Sequence, residues 1–439
     1  MTGPLVTGPH VTGPSWVRRT EVELRPDPDR VVARLFLPGQ EMVATGRPRS
    51  AAVLGRVLAL DDAEVERELA DLVTRFEGRH HDLEATWEAH GAQVRHGSAG
   101  DPPLPATRRR LVGAYFTQEY AVQSAALFNP SMVPHPDQSG LAAGSTRFVM
   151  TVRATGEGHV SSLELRTGTV DAHDVVALDP SPVRTRLPVV AVEQGDGRSY
   201  EATFPADSAM SERVLMPQVA AESHGIEDVR LVRLTHPDGS ASYAGTYTAY
   251  DGRGISAQLL RTEDFARMTS HPLGGPGARD KGVALFPRQV GGRWVAMSRA
   301  DRESNAVTTS ADLLHWDEPV VVQRPEQGWE TIQLGNCGPP IETERGWVVL
   351  THGVGPMRTY SIGALLLDLD DPARVLGSLT SPLLTAVGEE RSGYVPNVVY
   401  SCGAMRHGRT LVLPYGSSDI ATRVALVDLD GLLDELSAT

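Results

Sequence analysis

The 439-residue chain holds 41 Lys and Arg against 55 Asp and Glu, a net charge of −14. That balance argues against nucleic acid or an anionic membrane as its main partner, while an apolar content of 41% suffices for a packed core. Two cysteines, Cys337 and Cys402, are too few for a disulfide framework or a cysteine-ligated zinc site. No apolar run approaches the roughly 20 residues of a membrane span, and the N-terminus lacks the basic-then-apolar order of a secretory leader. The expectation is a soluble, cytoplasmic protein.

The chain opens MTGPLVTGPHVTGPS, a Thr-Gly-Pro unit written three times, read as a flexible tail over residues 1–15. Residues 16–127 read as an N-terminal extension with two helical segments. An extended stretch, VELRPDPDRVVARLFLPG, comes first. Asp61 and Asp62 then offer an N-cap, and Val65, Leu69, Leu72, Val73 and Phe76 fall on one helical face. The second segment, Arg108 to Phe128, ends just before Pro130. His80 and His81 lie in a polar stretch and are expected to be solvated.

From about Phe128 the texture becomes β-rich. Short runs such as RFVMTVRA, SYAGTYTAY, GRWVAMSRA, GWVVLTHGV and TLVLPYGSS are bounded by Gly, Pro, Asp or Asn. Even spacing of this kind suits a sandwich, barrel or propeller. Recurrent aromatics just inside strands (Tyr247, Trp294, Trp347, Tyr415) favour the propeller, as does TTSADLLHWDEP, a turn in which Asp312 bonds its own backbone while Trp316 packs inward.

No metal signature, Walker loop or GxSxG elbow is present, and no metal is expected. GGPG at Gly274–Gly277 reads as a loop, since no helix pattern follows it. Two polar groupings stand out. In GIEDVR, Glu227 and Asp228 point to opposite sides of an extended strand, so at most one faces a given pocket; there it could act as a general acid, or serve merely as a turn carboxylate. Lys281, Arg299 and His352 lie beside predicted strands and would form an anion site if they converged, with surface ion pairs as the plain alternative. Asn129, Asn305, Asn336, Asn397 and Asp419 suit sugar hydroxyls or turns equally.

Taken together, FNPSM, GIEDVR with YTAYD, KGVALFP, SADLLHW, GNCGPPIETERGWVVLTHGV, IGALLLDLDDPARVLG and GYVPNVVYSCGA resemble glycoside hydrolase family 130, the β-mannoside phosphorylases and hydrolases. The likeness implies an all-β fold, a five-bladed β-propeller over residues 128–439 with an N-terminal helical extension. It implies Asp228 as the catalytic acid, protonating the glycosidic oxygen through a sugar hydroxyl. Asn129, Arg153, Asn305 and Asp419 become candidates for holding the sugar, and Lys281, Arg299 and His352 for holding phosphate. The family pattern has Pro after the acid, whereas Val229 stands here. The expected reaction is inverting cleavage of β-mannosides, by phosphorolysis to α-mannose 1-phosphate, with inorganic phosphate as co-substrate and no cofactor. An inverting hydrolase would instead need a base, for which Glu164, Glu227, Glu303 and Glu330 are candidates. A carbohydrate-binding propeller without catalysis is a third reading, and the N-terminal helices offer a homo-oligomer contact.

Overall fold

The computed structural model describes residues 13–39, 41–44, 46–94 and 103–438. Most of the Thr-Gly-Pro tail therefore lies outside the described residues. The chain forms two compact units, one of residues 27–122 and 182–186, the other of residues 1–26, 123–181 and 187–439.

In the smaller unit, helices Arg49–Leu58, Asp62–Phe76, Leu83–Gln93 and Ala106–Tyr115 surround a core that includes Val65, Leu69, Trp87 and Leu111. The expected cap is present: Asp61 Oδ1 accepts from the Glu64 amide at 2.8 Å and Glu64 Oε2 accepts from the Asp61 amide at 2.8 Å. Such a capping box is worth about 1 kcal/mol. The sequence reading named two helices; Arg49–Leu58 and Leu83–Gln93 escaped it, the latter for a physical reason. Its buried face is Leu83, Trp87 and Gly91, at i, i+4 and i+8. A side chain at Gly91 would strike the Arg109 carbonyl, and one at Gly113 the Trp87 carbonyl, so bare backbone makes this helix crossing.

The segment expected to be helical from Arg108 to Phe128 turns extended after Tyr115. Thr117–Ala121 pairs antiparallel with Val31–Leu35, and Phe128 belongs to a further strand, Ala126–Pro134. His80 is buried, not solvated, with Nε2 2.7 Å from Glu119 Oε1.

The larger unit is built from antiparallel strands. Ala126–Pro134, Thr146–Thr155 and Ser161–Val170 form a ladder that joins the next only by one parallel pairing, Gly225 with Ser161. The next ladder is Gly225–Thr235, Ala241–Tyr250, Ile255–Thr262 and Arg267–Pro272. A four-stranded sheet follows, centred on Trp294–Ser298 and Asn305–Ser310, then a sheet centred on Gly346–Gly355 and Thr359–Leu367. In the last sheet Thr410–Ser417 pairs with Ala421–Asp428, whose other neighbour is Val17–Leu24, which places that early strand here and not with the helices.

Packing follows chain order. One apolar cluster joins the first ladder to the second (Val149, Leu165 with Leu231, Tyr247), another the second ladder to the four-stranded sheet (Leu259 with Trp294, Trp316). The four-stranded sheet packs on the next through Phe286 and Trp347, and that sheet on the last through Leu350 and Leu413. A fifth cluster, with Phe148 and Met150 against Val412 and Val424, joins the last sheet back to the first. A central strand therefore feeds two clusters by simple alternation: Trp347 and Val349 face one, Val348 and Leu350 the other. Both faces being covered, Gly346–Gly355 is buried along its whole length. Asp312 makes the expected turn, accepting the Leu314 and His315 amides at 2.8 Å each, over a fully buried Trp316.

Candidate active site

A cavity of about 300 Å³ opens in the larger unit, and all five of its packed groups of strands contribute lining residues. That volume lies at the lower end of small-molecule sites, about 300 to 1,000 Å³. Seven of the eight site residues expected from sequence line it: Asn129, Arg153, Asp228, Lys281, Arg299, His352 and Asp419. Asn305 does not. Its side chain is buried at the start of the strand Asn305–Ser310, where Nδ2 donates to Gln323 Oε1 at 2.9 Å. Asn397 is likewise a turn former, accepting from Arg391 Nε at 3.0 Å.

Two bulges build the acidic side. The ladder register shifts between Phe128 and Ser131 on one strand and between Glu227 and Arg230 on another. Within those shifts Asn129 (φ 49°) and Asp228 (φ 56°) adopt the left-handed conformation. Bulges re-aim side chains, and left-handed non-glycine residues gather where the surrounding structure enforces them. Here the two re-aimed side chains meet, Asn129 Nδ2 donating to Asp228 Oδ1 at 2.8 Å. The bulge also explains how neighbouring carboxylates share one guanidinium: Arg153 donates to Asp228 Oδ1 at 3.3 Å and to Glu227 Oε1 at 2.7 Å. Only Asp228 lines the cavity.

Arg153 is itself fixed by Ser161 Oγ at 2.8 Å and by the Phe128 ring 5.0 Å away. Arg230, which the sequence reading quoted inside GIEDVR but assigned no role, donates to the Asp228 carbonyl at 3.1 Å and to the Tyr400 hydroxyl at 2.8 Å. Both bonds to the Asp228 carboxylate end on Oδ1. Among the described residues none bonds Oδ2.

The cationic side is looser. Lys281 makes no hydrogen bond or ion pair to a described residue, and the buried Arg299 reaches only Asp280, at 3.9 Å, leaving its Nε without a partner. Asn336 holds the backbone next to Lys281 by donating to the Gly282 carbonyl at 2.6 Å. Gly335 is glycine because a Cβ there would lie 2.5 Å from the His352 ring and 3.0 Å from Arg299 Cδ. His352 is not a cation, contrary to the sequence reading. Burial first, then Arg299 and Arg230, push its pKa down to about 3. Its Nδ1 lies 3.2 Å from the Asn336 carbonyl, so Nδ1 carries the proton and Nε2 is an acceptor.

The two cavity carboxylates are shifted in opposite directions. Burial would raise Asp228, but Arg153, Arg230, the Asn129 amide and Lys281 outweigh it and hold the group below the usual carboxylate range. Burial, then the charge of Asp228, push Asp419 up to about 6, with Arg153 and Arg358 opposing. Arg358 is a cavity cation the sequence reading missed; it sits in a left-handed turn after Gly346–Gly355.

None of the four glutamates proposed as bases lines the cavity. Glu164 is fully buried against Arg166 at 3.0 Å, Glu227 is paired with Arg153, Glu303 is exposed, and Glu330 caps the Glu326 and Gln327 amides at 2.9 and 3.0 Å. Among the described residues no group of His, Cys, Asp and Glu could hold a metal ion, and no helix is long and apolar enough to cross a membrane.

The profile of a family described as β-1,4-mannooligosaccharide phosphorylase matches residues 200–438. The chain belongs to glycoside hydrolase family 130. It is therefore an enzyme acting on glycosides. It is 30% identical over 227 residues to a 1,2-β-oligomannan phosphorylase of Thermoanaerobacter sp., covering 49% of this chain and 72% of that protein. It is 29% identical over 288 residues to a β-1,2-mannobiose phosphorylase of Listeria innocua, covering 62% and 79%. Among solved structures, a glycosyl hydrolase from Bacteroides ovatus superposes with a TM-score of 0.52 at 21% identity, covering 71% of this chain and 86% of that one. At that identity the likeness concerns the fold.

Proposed function

We propose that this family 130 enzyme is an inverting β-mannoside phosphorylase whose larger unit is a five-bladed β-propeller. The propeller reading is supported by the cyclic order of the five apolar clusters, each joining neighbours in the chain and one joining last to first. Pairing of Val17–Leu24 with Ala421–Asp428 would then close the ring.

Phosphorolysis rests on one observation above the others: among the described residues Lys281 has no hydrogen bond or ion pair and Arg299 meets only Asp280, at 3.9 Å, while none of the four candidate glutamate bases lines the cavity. Phosphate would lie between Lys281 and Arg299, whose charges lack close partners, with His352 Nε2 accepting the P–OH of monohydrogen phosphate. The mannosyl unit would lie over Asn129, Arg153 and Asp419. A phosphate oxygen forms the bond to the anomeric carbon as the bond to the leaving oxygen breaks. That oxygen takes a proton originating on Asp228 Oδ2, relayed by a sugar hydroxyl, and the product is α-mannose 1-phosphate.

An acid must first be protonated, and Arg153 first, then Arg230 and Lys281, oppose this in the free site. A phosphate anion beside Lys281 offsets part of that field, so phosphate loading and protonation of Asp228 favour each other. The test is product analysis on β-1,2- and β-1,4-mannobiose with and without phosphate. Mannose 1-phosphate should form only with phosphate; free mannose released at equal rates in both would overturn the proposal.

A further inference from the structure

The mouth of the cavity carries an aromatic pair that the proposed chemistry does not use. His159 and Tyr394 both line it, with ring centroids 5.7 Å apart and planes inclined by 30°. Tyr394 is 62% exposed, so much of its ring stays open to a ligand at the cavity.

Neither ring is loosely hung. His159 sits at φ 60° in the turn linking Thr146–Thr155 to Ser161–Val170, closed by its amide donating to the Gly156 carbonyl at 3.1 Å and the Gly156 amide donating to Val160 at 3.0 Å. The flanking strands carry Arg153 and the Ser161 hydroxyl that fixes it. On the other side, the Val395 amide donates to the Ser418 carbonyl at 3.0 Å, tying the Tyr394 loop one residue from Asp419. Gly393 packs so closely on Ser418 that a Cβ there would lie 2.6 Å from the Ser418 side chain. The aromatic pair is thus registered to both Arg153 and Asp419.

We infer that His159 and Tyr394 form the stacking platform for the leaving-group sugar, the unit joined to the mannosyl group being cleaved. This rests on the assignment of Arg153 and Asp419 to the mannosyl unit. A pyranose presents a face of C–H bonds, and the electron-rich face of an exposed aromatic ring suits it. A platform of this kind discriminates by shape and tolerates either a mannose or a glucose, leaving linkage to be set by the angle at which the sugar leaves the cavity.

The test uses Tyr394→Ala, Tyr394→Phe and His159→Ala in the full-length enzyme. Tyr394→Ala should raise the KM for mannobiose about 2- to 12-fold while the KM for phosphate is unchanged, and Tyr394→Phe should restore the parent value. His159→Ala should give a smaller rise. Binding of α-mannose 1-phosphate, which has no leaving-group sugar, should be unchanged in all three by calorimetry. An unaltered mannobiose KM in Tyr394→Ala, or an equal loss of affinity for α-mannose 1-phosphate, would overturn the inference. If the enzyme instead releases mannose without phosphate, phosphorolysis falls, yet the mannobiose KM still decides the role of the platform.

Discussion

The two sides of the cavity are built on opposite principles. Around Asp228 the donors converge: Asn129 and Arg153 meet on Oδ1, Ser161 and Phe128 fix Arg153, and Arg230 is tied to the Asp228 carbonyl and Tyr400, with only its Nε left unpartnered among the described residues. Across the cavity, among the described residues, Lys281 makes no hydrogen bond or ion pair and Arg299 is held only by Asp280 at 3.9 Å. A committed network fixes geometry in advance, which suits a proton path that one misplaced hydroxyl would break. Under-paired cations retain charge for an incoming anion. The contrast separates the side that positions from the side that binds.

The largest effect should come from the committed side. Asp228→Asn keeps the shape and one hydrogen-bond acceptor but removes the proton. Turnover should fall by about 10³-fold or more, with far-UV circular dichroism unchanged. Near-normal turnover in that variant would show that the proton comes from elsewhere, and Asp419 would be the next carboxyl to replace. On the binding side, Arg299→Ala removes a charged donor and should raise the KM for phosphate about 10- to 100-fold, leaving the KM for mannobiose within about threefold. Equal rises in both constants would mean that Arg299 shapes the whole cavity and does not hold phosphate.

The sequence named residues of both sides: Asn129, Asp228, Lys281 and Arg299 all line the cavity, because motif resemblance transfers identity and order. What turned out differently depends on burial and backbone geometry. His352 reads as a cation on paper, but burial beside Arg299 and Arg230 makes it neutral. The shared salt bridge of Glu227 and Asp228 to Arg153 needs a bulge, which leaves no mark in a string of residues. Tyr394 and His159 are far apart in the chain and sit in turns, where no periodicity points anywhere. Asn305 shows the converse error: a polar residue in the right stretch, bonded to Gln323 at the start of a strand. In the fold, the strand runs were legible by alternation, while the Leu83–Gln93 helix hid because glycine backbone forms part of its buried face.

The smallest expected effect concerns stability and sharpens the contrast between the two carboxylates. Asp419 has its folded pKa raised to about 6, above the ordinary value of 3.8. A group raised in this way favours the folded state fully at pH values below its unfolded pKa, and that contribution is lost as pH rises through the folded pKa. At pH 7.5 the ionised Asp419 therefore costs stability, about 1 to 3 kcal/mol at most from the size of the shift. Asp419→Asn should raise the Tm at pH 7.5, by a few degrees for a protein of this size, and the difference from the parent should vanish below about pH 4. Asp228 has the opposite shift, so Asp228→Asn should lower the Tm at pH 7.5, and that loss should also shrink as the pH falls. Thermal melts of both variants at pH 4 and pH 7.5 check the pair. Two differences of the same sign at pH 7.5 would mean that the cavity cations treat the carboxylates alike, and the division between a held acid and a strained binding group would be lost.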